Sequence, residues 1–408
     1  MKNKRSIAVV GTFDSKGEEH LFLKKRVETR GLRALTINVG TGGPSPFPPD
    51  IDFYADLIVK EKLQDKGRDG MIQAIISAAG EKILQLHSQW EIGGIISAGG
   101  GTGTHIGTGI MRVLPMGIPK IMISTVASRD MAETVGTKDI TMMHSVTDIM
   151  GVNSLLGGIL DRAAAAVCAM AQSNWEAPHR KKRIALTMFG FITRAAEQIR
   201  ENLEALGYEV IPFHANGTGG MAMEELAREG YFHGILDLAT HELADDLRQG
   251  YCKGIGPLRL QPVNNGKVPR LVVPGGLDCA VLEFTRNNIP PELKGRKIFF
   301  YDFRSAVRLD LKETEAIAGQ LAEKLNQHPS TVKILIPMEG WSEADREREP
   351  LYDPDMRDAF MAKLKRDLDS RVLVTEVSAH INDPSFAKTA SAMMDEMLKG
   401  QPDRVLPV

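Results

Sequence analysis

The residue types best suited to chemistry sit in glycine-rich and histidine/carboxylate-rich turns. In GGIISAGGGTGTHIGTG, residues 93–109, the apolar residues Ile92, Ile95 and Ile96 read as a buried parallel strand that stops at Ser97, and six of the next twelve residues are glycine. Without Cβ atoms, Gly99, Gly100, Gly101 and Gly103 let backbone amides approach a guest closely, while Thr102 and Thr104 add hydroxyl donors; the natural guest is a phosphate. The same residues would also make a bare strand-to-helix turn, and the spacing is neither GxGxxG nor GxxxxGK[ST]. A second corner, GTFDSKG at 11–17, follows the first apolar run. There Gly11 and Thr12 offer amides, Lys16 could neutralise a phosphate, and Asp14 could hold Mg2+ directly or through water, unless Asp14 or Ser15 merely caps the next helix. If the two strands are neighbours, both corners form one anion cradle.

Further along, GTKDITMMHSVTDIMGVN (136–153) sets Asp139, His144, Asp148 and Asn153 in an apolar-rich segment. Buried polar groups need partners, so these join a site or an internal network; Asp148 is the candidate for a ribose or a metal. In the second half, clusters after the expected strands bring His214, His241, Glu242, Asp278, Arg304, Arg308, Glu339, Ser342, Asp345 and His380 toward a common edge. His241, Glu339 and His380 are acid/base candidates there, and Arg304 is a clamp for an anionic substrate. No HExxH or GxSxG spacing fixes a reaction, and caps and ion pairs are the alternative for each residue.

The elements that must position these turns follow from short apolar runs. Ile7–Val10, Ala34–Val39, the run before Ser97 and Lys120–Thr125 read as strands covered on both faces, with helical spacing between them, as at Gly70–Leu86 and Leu155–Ala171. Proline-rich 40–56 reads as a surface loop, and NWEAPHRKKR (174–183) as a linker. The pattern then restarts: strand Ile184–Met188, a helix from Thr193 to Leu206, strand Glu209–Phe213, and further strands at 234–238, 270–273, 298–301, 332–336 and 372–377. This predicts two doubly wound α/β domains with mostly parallel sheets, 1–177 and 184–408, facing each other across an interdomain cleft, with ligands at the carboxyl edges of the strands.

Fifty basic and fifty-two acidic residues give a net charge of -2, which removes a global electrostatic case for nucleic acid or an anionic membrane. No uninterrupted apolar run reaches eighteen residues, and the basic start MKNKRSIAVV leads at once into a strand instead of a signal-peptide core. Cys168, Cys252 and Cys279 lie far apart without metal-ligand spacing, which suits a reducing cytoplasm and offers no zinc or disulfide argument.

Taken in order, GTFDSKG, SAGGGTGT, GTKDITMMHSVTDIMGVN, HANGTGGMAMEEL, DLATHELADDL, DFRSAVRL, IPMEGWSEADREREPLYDPDMRDAF and VSAHINDPSFA span essentially the whole chain. With these motifs the sequence resembles the uncharacterised protein family UPF0261, which is similar to the N-terminal, ATP-binding region of the plant Tm-1 resistance protein. The resemblance implies Rossmann-like domains, nucleotide binding with Mg2+ and a homodimer. It would place ATP at Gly11 to Lys16 and Gly99 to Thr104. The expectation is an ATP-dependent enzyme of phosphoryl-transfer or ligase type acting on a small anionic or sugar-like molecule. The alternatives are a nucleotide-binding regulatory or interaction protein without catalysis, and an ATP-independent hydrolase or lyase.

Overall fold

The computed structural model describes residues 6–60, 63–175, 181–264 and 266–399. The chain divides into two compact units, 1–177 and 178–408. Half of the stretch read as a linker, residues 176–180, lies outside the described residues.

In the first unit the chain runs β1 (Ser6–Gly11), α1 (Phe13–Glu28), β2 (Ala34–Asn38), β3 (Ile51–Asp52), α2 (Gly67–Ser88), β4 (Ile92–Gly99), α3 (Gly101–Met111), β5 (Lys120–Ser124), α4 (Ala132–Val135), β6 (Ile140–His144) and α5 (Ser154–Gln172). The sheet order is β3-β2-β1-β4-β5-β6, every pair parallel, so the order reverses between β1 and β4. Alternation along β1 explains why the sheet is covered twice. Ile7 and Val9 pack with Leu23 and Val27 of α1 and Leu156 and Leu160 of α5. Ala8 and Val10 point the other way, into a core with Ile75 and Ile83 of α2 and Ile106 and Ile110 of α3. Each fully buried Ile or Val contributes roughly 2 kcal/mol, so neither face of the sheet could be left open.

Helix α5 is long and apolar enough, with a mean hydropathy of 1.4, to cross a membrane by length and composition. Here Leu156, Leu160, Ala163 and Val167 are buried in the unit's core, and Asp161 pairs with Arg26 of α1 and with Arg30 just after it.

The second unit runs β7 (Arg183–Met188), α6 (Thr193–Ala205), β8 (Glu209–His214), α7 (Thr218–Arg228), β9 (Gly234–Ala239), α8 (Glu242–Arg248), β10 (Arg270–Gly275), β11 (Cys279–Leu282), β12 (Ile298–Phe300), β13 (Ser305–Arg308), α9 (Leu311–Leu325), β14 (Val332–Pro337), α10 (Pro354–Asp367), β15 (Leu373–Val377) and α11 (Pro384–Leu398). Six strands form a parallel sheet in the order β15-β14-β10-β9-β7-β8, which reverses between β7 and β9. Helices α6 and α11 pack together, as do α9 and α10, with separate cores on the two faces. One strand expectation is corrected. Ile298–Phe300 does not join the large sheet; it pairs antiparallel with β13 in a three-stranded sheet, β11-β13-β12, inserted after β10. Period and composition cannot tell an inserted antiparallel strand from a sheet strand when both are short and apolar.

Candidate functional site

Strands β1 and β4 are parallel neighbours, with Val9 opposite Ile96, so the corners Gly11–Lys16 and Gly99–Thr104 leave the same edge of the first sheet. That edge lies at the reversal of strand order, where open α/β sheets bind ligands. Gly100 provides no capping side chain for α3, and Gly101 and Thr102 are exposed. A Cβ added at Gly101 would meet nothing within 4 Å. Helix α3 therefore presents a first turn of amides to solvent, with the positive end of its dipole outward.

Several of the residues read as donors have packing roles instead. A Cβ at Gly99 would lie 2.8 Å from the Cα of Gly103, so this glycine lets strand and helix meet. The Thr104 hydroxyl is turned inward to the Ser124 hydroxyl at 2.6 Å. At Gly11 a Cβ would stand 2.0 Å from Nε2 of His20. Half-buried Thr12 accepts a hydrogen bond from the Ser15 hydroxyl at 3.1 Å, and its carbonyl takes the Lys16 amide at 2.8 Å.

Around these corners the edge is built by three loops. Asp14 Oδ2 accepts the Gly42 amide at 2.7 Å, while Oδ1 is buried without a hydrogen-bond partner among the described residues. Asn38, which sequence reasoning missed, takes the amides of Phe13 and Gly40 on one oxygen, each at 3.1 Å, and so ties the loop after β2 to α1. Lys16, at a kink in α1, donates to the Ile149 carbonyl, and Glu19 takes the Gly151 amide at 2.8 Å. These contacts bring the 145–152 loop to the corner. Asp148 in that loop is exposed and accepts the amide of Ile149 at 2.8 Å. Asp139 instead pairs with buried Lys120 at 2.7 Å, and Asn153 caps α5.

Beneath both glycine corners lies His20, fully buried. Its Nδ1 meets the Lys16 carbonyl at 2.6 Å and its Nε2 accepts the Ala98 amide at 3.3 Å, which assigns the proton to Nδ1. Burial lowers its pKa from 6.5 and outweighs the opposing hydrogen bond to Lys16. Below pH 6.5 the unfolded chain therefore takes up a proton that the folded chain refuses. Stability from this residue is full above that pH and falls as pH drops toward the lowered folded value, by up to about 1.4 kcal/mol per unit. Comparing urea unfolding at pH 7 and 5 for the wild type and His20→Gln checks this. The variant is expected to lose less stability on acidification, and equal losses would refute the assignment.

At the corresponding edge of the second sheet, most polar candidates satisfy one another. His380, read as an acid or base, is buried; its Nε2 donates to the Ser342 carbonyl at 2.9 Å and its Nδ1 accepts the Asn382 amide at 3.1 Å. Both nitrogens are thus committed to bracing the loops after β14 and β15. Arg308 binds Asp345 at 2.9 Å, and the Ser342 hydroxyl donates to Asp278 at 2.8 Å. Burial, with Asp278 adding its charge, pushes Asp345 up to about 6. Because β12 and β13 belong to the small sheet, Arg304 arrives from there; it pairs with Asp302 at 2.7 Å and lies over the Tyr251, Tyr301 and Phe303 rings. Glu339 follows β14 and is exposed. In the glycine-rich turn after β8, the Glu242 carboxylate accepts the Gly217 amide at 2.8 Å.

His241 differs from these. It is fully buried and stacked on Phe189 with ring centroids 3.7 Å apart, and among the described residues neither ring nitrogen has a hydrogen-bond partner. Burial, with His214 and Arg259 nearby, lowers its pKa to about 3. Ligand atoms of Asp245 and Cys252, both buried, lie within 4.8 Å of it and of each other. Neither was singled out from the sequence.

The sequence matches the N-terminal domain of the uncharacterised protein family UPF0261 over residues 5–176 and its C-terminal domain over residues 181–398. The chain belongs to the UPF0261 family. A UPF0261 protein of Clostridium tetani is 36% identical over 97% of this chain and 99% of its own length. One from Rhizobium meliloti is 34% identical over 95% of this chain and 98% of its own. The ToMV resistance protein Tm-1(GCR237) of Solanum lycopersicum is 31% identical over 98% of this chain, which spans 56% of that plant protein. The UPF0261 motifs thus fall into two groups here. GTFDSKG and SAGGGTGT line one edge of the first sheet, whereas HANGTGG and ATHELADDL are tied together by the Gly217–Glu242 contact and VSAHINDP is braced through His380 in the second unit.

Proposed function

We propose that this UPF0261 protein binds the phosphates of a nucleotide, ATP by the family resemblance, at the junction of the two first-unit corners. One observation carries the reading: neighbouring parallel strands at the order reversal end in glycine corners, one of them opening an uncapped helix whose first residues face solvent. The amides of Gly101, Thr102 and Gly103 would hold phosphate oxygens, and the Thr102 hydroxyl would add a donor. Lys16 stands by as the neutralising charge, exchanging the Ile149 carbonyl for phosphate. Mg2+ fits the donor set at Asp14, whose Oδ1 is a buried carboxylate oxygen without a partner, and exposed Asp148 is the second oxygen donor at that edge. When bound, the ion would neutralise phosphate charge.

Binding is favoured over catalysis at the second-unit edge, because His380 spends both nitrogens on backbone groups and Arg304 is paired with Asp302. Gly101→Val tests the reading. The new side chain enters open space, so the fold should persist, while nucleotide affinity should fall at least about 100-fold, or roughly 2.7 kcal/mol. Calorimetric titration with ATP and Mg2+ reads the effect, and unchanged affinity would refute the site. Product analysis with ATP and a panel of small anionic and sugar-like metabolites separates the two roles: ATP bound but not consumed supports the regulatory protein, and turnover the enzyme.

A further inference from the structure

We propose that His241, Asp245 and Cys252 form a transition-metal site of the zinc type in the second unit, independent of the nucleotide edge. Their ligand atoms all lie within 4.8 Å of one another, and all three residues are buried. An imidazole nitrogen, a carboxylate oxygen and a thiolate sulfur are the donor types that bind zinc-class ions.

The local fold explains the convergence. His241 directly precedes α8 and Asp245 sits in its first turn, four residues on, so the two side chains share a face. After α8 the chain reverses at Gln249, which adopts a left-handed conformation with φ of 54°, and at Gly250. A Cβ at Gly250 would lie 2.5 Å from the Val281 carbonyl and 3.0 Å from Cγ of Asp245, so only glycine lets Cys252 return to the helix. Asp245 is held as an oriented ligand: Oδ1 accepts the Val281 amide and Oδ2 the Cys252 amide, each at 2.7 Å. Each oxygen keeps a further lone pair, and such supporting hydrogen bonds aim metal ligands.

His241 supplies the independent sign that something binds. A buried imidazole ordinarily commits both nitrogens, as His20 and His380 do, and leaving one unsatisfied costs about 1–3 kcal/mol. At His241 both are without hydrogen-bond partners among the described residues, and the ring stacks on Phe189. A metal bond would satisfy one of them. Tetrahedral coordination needs donor separations of about 3.6 Å, so no pair of donors has to close by more than about 1 Å, within reach of small χ rotations. Three protein donors leave the fourth position to water or a small molecule. Binding replaces the thiol proton by the metal and releases that proton to solvent, with no change of oxidation state.

The test uses the untagged full chain, stripped with chelator and titrated with Co2+, then Zn2+, without nucleotide. The expected result is one Co2+ per chain, a near-ultraviolet thiolate-to-cobalt band that Zn2+ abolishes, and a higher melting temperature with Zn2+. Cys252→Ser should lose the band and His241→Gln should weaken binding at least tenfold, while Cys168→Ser, altered in the first unit, keeps both. Circular dichroism identifies any variant that fails to fold, and the wild-type titration stands by itself. Absence of stoichiometric binding to wild type, or a band that survives in folded Cys252→Ser, overturns the proposal.

Discussion

Gly11→Ala should destabilise the first unit by roughly 2–6 kcal/mol, as measured by urea unfolding. The new methyl carbon would lie 2.0 Å from Nε2, 2.2 Å from Cε1 and 2.5 Å from Cδ2 of His20. The ring has nowhere to go. It is fully buried, tied to the Lys16 carbonyl and the Ala98 amide, and packed near the Phe13 ring at 5.2 Å between centroids. Overpacking alone costs about 1–3 kcal/mol, and displacing the ring leaves buried backbone groups unpaired at about 1–3 kcal/mol more. The double variant Gly11→Ala/His20→Ala should recover part of the loss, because the smaller side chain makes room for the methyl. A single variant within about 1 kcal/mol of wild type would show that the glycine is not required for this packing.

The second large effect is expected at Arg259. In the second unit this buried guanidinium reaches Asp237 at 2.7 Å, Glu242 at 2.8 Å and Glu224 at 3.2 Å, and Arg270 adds contacts to Glu224 at 2.7 Å and Asp237 at 2.5 Å. Three carboxylates thus share two arginines. Burial alone would raise Asp237, but Arg259 and Arg270 outweigh it and hold it below the usual carboxylate range. Arg259→Met leaves three acids facing one cation, and breaking a buried pair costs about 3–5 kcal/mol. The variant's loss should shrink on acidification, because carboxylates stranded in the core take up protons more readily folded than unfolded. Asp237 gives the wild type the opposite trend: its lowered folded pKa supplies stability above the ordinary carboxylate value of 3.8 that is lost as pH falls below it. Arg259→Lys should fall between, since one ammonium cannot span three acids. Urea unfolding of both variants at pH 5 and 7 reads their losses, and a loss that does not depend on pH would argue that packing, not charge, is at stake.

Continuous apolar runs such as Ile7–Val10 made the strands legible, because a parallel sheet covered on both faces demands them. Their order was not: nothing in such runs distinguishes the first sheet's reversal from the second sheet's β8-β7-β9 arrangement. The edge was legible in the same measure. The four glycines at 99, 100, 101 and 103 stood out as a turn, but which of them faces solvent depends on the helix behind them, so exposed Gly101 and packing Gly99 looked alike. His20 could not be singled out, since its importance lies in the missing side chain of a glycine nine residues earlier. His241 and Asp245 do show helical spacing in ATHELADDL. Cys252, however, joins them through a reversal at Gln249 and Gly250 that no ligand spacing encodes.

The Glu242 carboxylate at the Gly217 amide bears on how many guests the chain can take. At that turn the second unit has internalised its own anion, held in place by Arg259. Repetition of architecture therefore does not repeat an anion site: the amide at this glycine-rich turn is already taken by a carboxylate of the chain itself.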